Sequence, residues 1–378
     1  MRLLDGRALN AGPESLAEQS TRIGLLPQPG RDLIQPVERS GLIGRGGAGF
    51  PTGAKLRAAA ARHPELLVVN GAEGEPHSKK DRLLMSTRPH LVLDGALLTA
   101  RAVRARVIVL YIGEHHTAAR AAMDRALAER SPAERKFFRT ATAPARYVAG
   151  DSNAAVNLVT SGSALPTNTP AAPALVQNVE TLAHIALIAR SGQSTGTVLV
   201  TMAGAVTHSG VLEVETRSTI GDAIARAGGA PEPARAVLLG GYFGAWLPIE
   251  QAQELAVDPA ALRAVGLSLG CGVIGVLPRS HCPVCETAGI MHYLAGESSA
   301  QCGPCFFGLR ALADACGRIA EVGTNAEDLR RLQRWTVEVP GRGACKHPDG
   351  AVMFLQSALA TFAPEFAAHP AHRTRGTA

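Results

Sequence analysis

Cysteine is absent from the first 270 residues of this 378-residue chain; all seven cysteines lie at 271, 282, 285, 302, 305, 316 and 345. An odd count crowded at one end argues against a disulfide framework and for a local metal or cluster site. Aromatic residues make up only 4% of the chain, and no Lys/Arg cluster is interleaved with them. The net charge of +6 is spread along the sequence, so nucleic-acid binding is disfavoured, and a basic balance also suits phosphate-bearing cofactors. No run reaches the roughly 18 apolar residues of a membrane span. The opening Met-Arg-Leu-Leu-Asp-Gly leads into no signal-type apolar stretch, and a cytoplasmic protein is expected. A Gly-x-Ser-x-Gly elbow is missing too. What is present is ordinary for a globular chain: 46% hydrophobic and 19% charged residues, with 40 Gly and 24 Pro that make it loop-rich. The length allows two or three domains.

Residues 1–40, with Pro27, Pro29 and Pro36, are sparse in pattern. Apolar runs then predict strands at Leu66–Asn70, Arg106–Ile112 and Arg146–Ala149. Helices are predicted at Leu91–Arg104, Thr117–Glu129 and from near Ser152. Such alternation implies an α/β sheet, with cofactors at the carboxyl ends of its strands, where the loops after Asn70 and Ala149 lie. A Pro/Ala/Thr/Ser-rich linker at 161–175 precedes a helix expected at Val176–Arg190. A hairpin (Val198–Gly204, Gly210–Val214), a helix (Thr219–Ala227) and a strand (Ala236–Leu239) suggest a small α+β module. From His281 the pattern is helical, about 283–296, 303–321, 326–336 and 349–363, a C-terminal bundle. The expected division is 1–192, 193–262 and 263–378.

Three segments carry chemistry. The first, Gly44-Arg-Gly46-Gly47-Ala-Gly49-Phe50-Pro-Thr-Gly-Ala-Lys55, contains a GxGxxG, but no convincing strand precedes it, so a dinucleotide-fold fingerprint is not met. What remains is a run of closely spaced backbone N–H groups able to cradle phosphate, with Lys55 as a point charge; the plain alternative is a glycine turn. The second runs from Asn70 to Arg82 and places Glu73 and Glu75 on a strand-end loop. These carboxylates could hydrogen-bond an isoalloxazine edge or a nicotinamide ribose, or form a solvated charged turn. The third is Ser299-x2-Cys302-x2-Cys305-x39-Cys345, whose spacing can aim several ligands at one cubane while a remote cysteine closes it.

Zinc is the rival at the cysteines, because Cys282-x2-Cys285-x16-Cys302-x2-Cys305 fits a zinc template. Ile290, Met291 and Leu294 sit at helical spacing between the two pairs. A helix of about 14 residues spans about 21 Å, too far for four sulfurs to share one ion. Cys316 reads as core, and Cys271, in Gly270-Cys-Gly272, as a small buried group. His281 and His347 stand close enough in sequence to cysteines to be tested as ligands, whereas His115-His116 reads as a solvated loop pair.

Taken in order, these segments resemble the flavin-binding, NADH-oxidising F-type subunit of respiratory complex I, a kind of subunit shared by NAD-linked hydrogenases and formate dehydrogenases. Its Gly-Arg-Gly-Gly-Ala-Gly-Phe-Pro-Thr-Gly-x-Lys is matched by Gly44–Lys55, and its Asn-x-Asp-Glu-x-Glu-Pro and Lys-Asp-Arg by Asn70, Glu73, Glu75, Pro76 and Lys80–Arg82. Gln177-Asn178-Val179-Glu180-Thr181 resembles its Asn-Asn-Val-Glu-Thr. Gly240-Gly241-Tyr-Phe-Gly244 resembles part of its β-grasp domain, and Glu297-Ser298 with Cys302 and Cys305 its cluster motif. The resemblance implies an α/β FMN/NADH-binding domain at 1–192, a small β-grasp-like (SLBB-type) α+β domain at 193–262 and a C-terminal helical iron–sulfur domain at 263–378. It implies that Gly44, Gly46, Gly47 and Gly49, with Lys55, Asn70, Glu73 and Asn178, hold FMN. Phe50 would stack near the nicotinamide and Glu75 would contact NADH. Tyr147, Gly150, Asp151, Gln177 and Thr181 complete the implied cofactor set. Cys302, Cys305 and Cys345 would hold a [4Fe–4S] cluster, with Ser299 or an exogenous group as fourth ligand. Hydride would pass from NAD(H) to FMN, and electrons singly to the cluster and to a partner, a thioredoxin-like [2Fe–2S] subunit or a ferredoxin, peripheral to a membrane complex.

The sequence departs from that pattern at five places, the first being Ser299, which stands where the cluster motif has its first cysteine. The family's Asp is Ala72, and Tyr-x-x-Gly-Glu-Glu-Thr appears as Tyr147-Val-Ala-Gly150-Asp151-Ser152-Asn153. An expected aromatic is Ala58, and a basic, Phe-containing stretch is shortened to Leu165–Ala171. The flavin cradle is kept and the nicotinamide side thinned. Each lost buried hydrogen-bond partner costs roughly 1–3 kcal/mol. The alternative is a non-catalytic assembly module of the same fold.

Overall fold

The computed structural model describes residues 1–27 and 31–370; Pro29 and the last eight residues of the expected C-terminal part lie outside them. Two units form. One comprises Met1–Thr201, Gly210–Thr219 and Ala256–Gly272; the other comprises Met202–Ser209, Ile220–Leu255 and the chain from Val273 onward.

The sparse N-terminal region yields α1 (Leu16–Ile23) and α2 (Ile34–Arg39). Ser15 starts α1 through a capping box with Glu18. Next come α3 (Thr52–Arg62), β1 (Leu66–Gly71), α4 (Lys80–Thr87), α5 (Pro89–Val103), β2 (Val107–Gly113), α6 (Thr117–Ala128), α7 (Pro132–Arg135), β3 (Phe138–Ala143), α8 (Ser152–Ser161), β4 (Ala174–Asn178) and α9 (Val179–Ser191). The four strands form one parallel sheet in the order β3-β2-β1-β4. Successive β1 side chains go to opposite sides: Leu67 and Val69 join one buried cluster and Val68 another. Both faces are covered, which is why β1 and β2 read as unbroken apolar runs.

Two strands of this sheet differ from the sequence reading. The third lies at Phe138–Ala143, and Tyr147–Gly150 is a short 3-10 turn rather than a strand. This edge strand is half solvated, so Phe-Arg-Thr-Ala-Thr-Ala carries no apolar run. The segment expected as helix from Val176 is strand up to Asn178, where the Asn178 side chain accepts the Glu180 N–H and starts α9.

Helix α5 is buried almost throughout and packs on α9. A Cβ at Gly95 would lie 1.9 Å from the Leu182 carbonyl oxygen. Beside it, buried Asp94 pairs with Arg130 at 2.7 Å and Arg190 at 2.5 Å, and accepts from Gln19 at 2.9 Å. Gly95→Ala is therefore expected to force two buried helices apart and cost at least the 1–3 kcal/mol (roughly) of an overpacked core. Thermal unfolding of the purified variant measures this; an unchanged midpoint would contradict the crossing.

The chain continues through β5 (Thr197–Gly204), β6 (Gly210–Glu215), α10 (Ile220–Arg226), β7 (Ala234–Leu239), β8 (Ala245–Pro248), α11 (Ile249–Ala252), α12 (Pro259–Ala264) and β9 (Val273–Pro278). β5 and β6 are neighbours, as the hairpin reading expects. β7 pairs antiparallel with both β8 and β9; neither of those strands is read from the sequence. The helices that follow are α13 (Pro283–Gly296), α14 (Leu309–Val322), α15 (Ala326–Glu338), α16 (His347–Thr361) and α17 (Ala363–Ala367). The helix expected at 303–321 opens with a π-turn over Pro304–Gly308 before α14 begins. Among the described residues no helix is long and apolar enough to cross a membrane.

Candidate functional site

The strand order reverses between β1 and β4, since β2 and β3 lie on one side of β1 and β4 on the other. A crevice at the carboxyl ends of such a pair is where α/β sheets hold ligands. Asn70, one residue before the end of β1, pairs in register with Asn178 at the end of β4. The glycine loop comes to this edge without a preceding strand: only an isolated bridge, Ile43 to Pro51, closes it. The Gly44 N–H donates to the Phe50 carbonyl at 2.9 Å, and α3 starts directly after, at Thr52. Gly47 and Gly49 have φ of 100° and 56°, the left-handed region open to glycine. A Cβ on Gly46 would lie 3.4 Å from the Asn178 Cβ, and one on Gly49 would lie 2.5 Å from an Arg263 nitrogen.

An open cleft is lined by Gly44, Arg45, Gly47, Gly49, Lys80, Glu180, Val198, Leu199, Pro259, Arg263, Leu267–Gly270 and Gly272. Its floor is a buried charge cluster. Lys80 Nζ lies 2.7 Å from Asp81 and 2.9 Å from Glu180, and Glu180 also accepts the Leu199 N–H at 2.9 Å. Burial opposes the Glu180 charge, but Lys80, His184 and Arg45 outweigh it and hold the carboxyl at about 2. Burial likewise opposes the Lys80 charge, and Asp81 and Glu180 raise its pKa in spite of it. Asp81 is lifted to about 6, by burial first; Lys80 pulls it down, and Glu73 and Glu180 push it up. Asp81 is thus the carboxylate of the cluster that takes a proton first.

Because that folded value lies above the ordinary 3.8, the Asp81 contribution to stability is full below 3.8 and is lost as pH rises through 6. Asp81→Asn is expected to remove this slope while keeping an acceptor for the Asn178 amide, which now donates to Asp81 at 2.7 Å. Unfolding free energies of both proteins across that window check it; parallel pH curves would refute the assignment.

The segments distant in sequence meet here. The Arg45 N–H donates to Thr181 Oγ1 at 2.9 Å, and Arg45 Nε is buried without a hydrogen bond among the described residues, 3.8 Å from Glu180. Gln177 is buried with its Nε2 unbonded among the described residues. The orphaned Arg45 donor, the glycine backbone of the loop and the cationic side chains of the cleft fit a phosphorylated flavin. Lys55 points elsewhere, donating to the Val176 carbonyl at 2.6 Å, and burial lowers its pKa. Phe50 is 55% exposed, free to stack on a ligand ring.

Glu73 is held at φ 46°, and its carboxylate starts α4: it accepts from Ser78 Oγ at 2.7 Å and from the N–H groups of Asp81 and Arg82 at 2.9 and 3.2 Å. Glu75 is buried and accepts from the Tyr147 hydroxyl at 3.3 Å. Asn70 donates to the Gly150 carbonyl at 3.0 Å, and Asp151 caps α8. These residues shape the loop over the strand ends. Arg45, Lys80 and Glu180 stand inside motifs legible in the sequence, yet their type alone gives no hint of a buried cluster. Arg263 and 267–270 carry no sequence signal.

In the second unit, Cys305 and Cys345 are buried and Cys302 half-buried. Burial, then the neighbouring Cys302 and the charge of Cys345, push the Cys305 thiol up to about 12. A thiol pushed up by its neighbours in this way is relieved by a cation. Ser299 Oγ is buried without a hydrogen bond among the described residues, as a free ligand atom would be. Ala300 beside it is strained at φ 52°, and the π-turn carries Cys305. The donor set fits an iron–sulfur cluster with one oxygen ligand. His347 Nε2 meets the Leu294 carbonyl at 2.8 Å. His281 is exposed, and Cys316 is core as expected.

Residues 37–187 match the Nuo51 FMN-binding domain, 199–241 the SLBB domain and 286–369 the NADH-ubiquinone oxidoreductase-F iron-sulfur binding region. The NADH-quinone oxidoreductase F 2 subunit of Rhizobium meliloti is 31% identical, over 89% of this chain and 88% of its own length. The chain belongs to the family of NADH-quinone oxidoreductase F subunits. Another member of this family, in Escherichia coli, is 29% identical over 91% of this chain and 85% of its own. The crystal structure of an NAD+-reducing [NiFe]-hydrogenase in the H2-reduced state superimposes with a TM-score of 0.80 at 27% identity and 92% coverage. This chain spans 64% of the length of that hydrogenase chain.

Proposed function

We propose that this chain is an NADH-oxidising electron-transfer subunit that carries FMN and a [4Fe–4S] cluster. One observation carries the reading: the glycine loop, the Asn70–Arg82 loop and the Gln177–Thr181 turn converge on one cleft, through the Arg45–Thr181 and Asp81–Asn178 bonds. When bound, FMN and the cluster supply the conversion of a hydride pair into single electrons. The protein's own part is placement. Gly44 closes the loop on Phe50, Gly46, Gly47 and Gly49 would offer backbone N–H groups, and Arg45 adds a buried positive charge. Asn70, Glu73 and Asn178 fix the loops around the flavin, with Lys55 bracing β4 behind it. Phe50 and Glu75 would meet the nicotinamide, and Tyr147, Gly150, Asp151, Gln177 and Thr181 would complete the cofactor site. Cys302, Cys305 and Cys345, with Ser299, hold the cluster.

The finer assignment is a division at 1–192, 193–262 and 263–378 and a thioredoxin-like [2Fe–2S] subunit or ferredoxin as the electron acceptor, within a multi-subunit assembly. Ala72, a methyl group buried where the family places a carboxylate, favours a second reading in which the fold is kept for docking and NADH is no longer oxidised. Reconstituted protein is expected to be yellow-brown, and anaerobic NADH to bleach its flavin band. A featureless visible spectrum overturns the first reading; flavin that NADH leaves unbleached selects another donor or the docking role.

A further inference from the structure

We propose that Cys282, Cys285 and His369 form a zinc site, separate from the Cys302, Cys305 and Cys345 set. Cys282 is the N-cap of α13 and Cys285 lies one turn later, so both sulfurs gather at the same helix end; the Cys285 N–H donates to Cys282 Sγ at 3.4 Å. His369 reaches them from beyond α17. Its backbone is fixed on both sides by Thr324: the His369 N–H donates to Thr324 Oγ1 at 3.0 Å, and the Thr324 N–H donates to the His369 carbonyl at 3.0 Å.

The ring is buried, with Nδ1 3.8 Å from Cys282 Sγ and Nε2 4.0 Å from Cys285 Sγ. The ligand atoms of all three residues lie within 4.8 Å of one another. Tetrahedral zinc with Zn–S of about 2.3 Å and Zn–N of about 2.1 Å separates S and N by roughly 3.5 Å, so only a small contraction is needed. The Ala320 carbonyl lies 3.2 Å from Nε2. A proton on Nε2 directed at that carbonyl leaves the Nδ1 lone pair for a metal, the carbonyl-backed arrangement that orients metal-binding histidines. Two thiolates and an imidazole select zinc over harder cations. Cys282 and Cys285 are half-buried, which lets water take the fourth place. The rest of α13, from Glu286 to Gly296, separates these cysteines from the cluster loop, and both precede the matched iron–sulfur region, which begins at 286. The ion would tie the start of α13 to a segment 84 residues beyond Cys285.

The test uses the full chain produced with zinc and iron and passed through a chelator. About one zinc per chain is expected, with an X-ray absorption shell of two sulfurs and two nitrogen or oxygen atoms. Cys282→Ser and His369→Gln are expected to lose the zinc, while Cys302→Ser keeps it and loses iron. Zinc below about a tenth per chain, a four-sulfur or sulfur-free shell, a Cys282–Cys285 disulfide in fresh protein, or zinc lost with Cys302→Ser each overturns the site. If the variants do not fold, the absorption shell of the unaltered chain decides between these outcomes.

Discussion

Lys80→Met is expected to lower the unfolding free energy of the apoprotein by about 3–5 kcal/mol, the cost of stripping a buried ion cluster of its cation. Lys80 is 2% exposed and faces both Asp81 and Glu180. Without it two buried carboxylates remain, with Arg45 3.8 Å from one of them. The loss should shrink as pH falls, because protonating the carboxylates then removes the unpaired charge. For the intact protein the sign differs. The folded Glu180 value is depressed to about 2, so its contribution is present above the ordinary carboxylate value and disappears only as pH falls through 2. Thermal unfolding followed by circular dichroism, near neutrality and in mild acid, reads both effects. A neutral Lys80→Met with unchanged pH dependence would mean the cluster is solvated. The double variant Lys80→Met/Glu180→Gln should be milder than Lys80→Met alone, since it leaves one buried carboxylate rather than two.

Cys305→Ala is expected to reduce iron from about four atoms per chain to background, with loss of the brown absorbance and retention of flavin. Cys305 is fully buried on the π-turn, so no solvent ligand can replace its sulfur. Ser299→Cys should act in the opposite direction. It restores a thiolate where a buried hydroxyl stands without a hydrogen bond, and a thiolate suits iron in a cluster better than the harder alkoxide. Slower iron release to a chelator is the expected readout. Equal iron in wild type and Cys305→Ala would remove this residue from the ligand set, and faster release from Ser299→Cys would show that the serine serves another purpose.

The α/β core was legible because buried parallel strands such as Leu66–Gly71 are apolar along their whole length. Edge strand β3 was not, because half of it meets water. β9 escaped for another reason: Gly275 interrupts its apolar run and Pro278 ends it. The same division holds at the sites. The Gly44–Lys55 loop, Asn178 and Cys302-x2-Cys305 stand out as residue types at fixed spacing. That Glu73 turns its carboxylate to the start of α4, rather than into the cleft, follows from a left-handed backbone that no spacing announces.

By itself the sequence determined which atoms are available: glycine backbone for a phosphate, thiols for a cluster, and no cysteine outside the last third. It also determined that four sulfurs of the two Cys-x2-Cys pairs cannot meet, since the helix between them is local. Only the tertiary structure decided which distant groups share a desolvated space. Lys80 and Glu180 are 100 residues apart and become one charge cluster. Cys285 and His369, 84 residues apart, come within 4.0 Å. Side-chain chemistry is a property of the residue; pKa, pairing and ligation depend on neighbours and burial, and those exist only once the chain has folded.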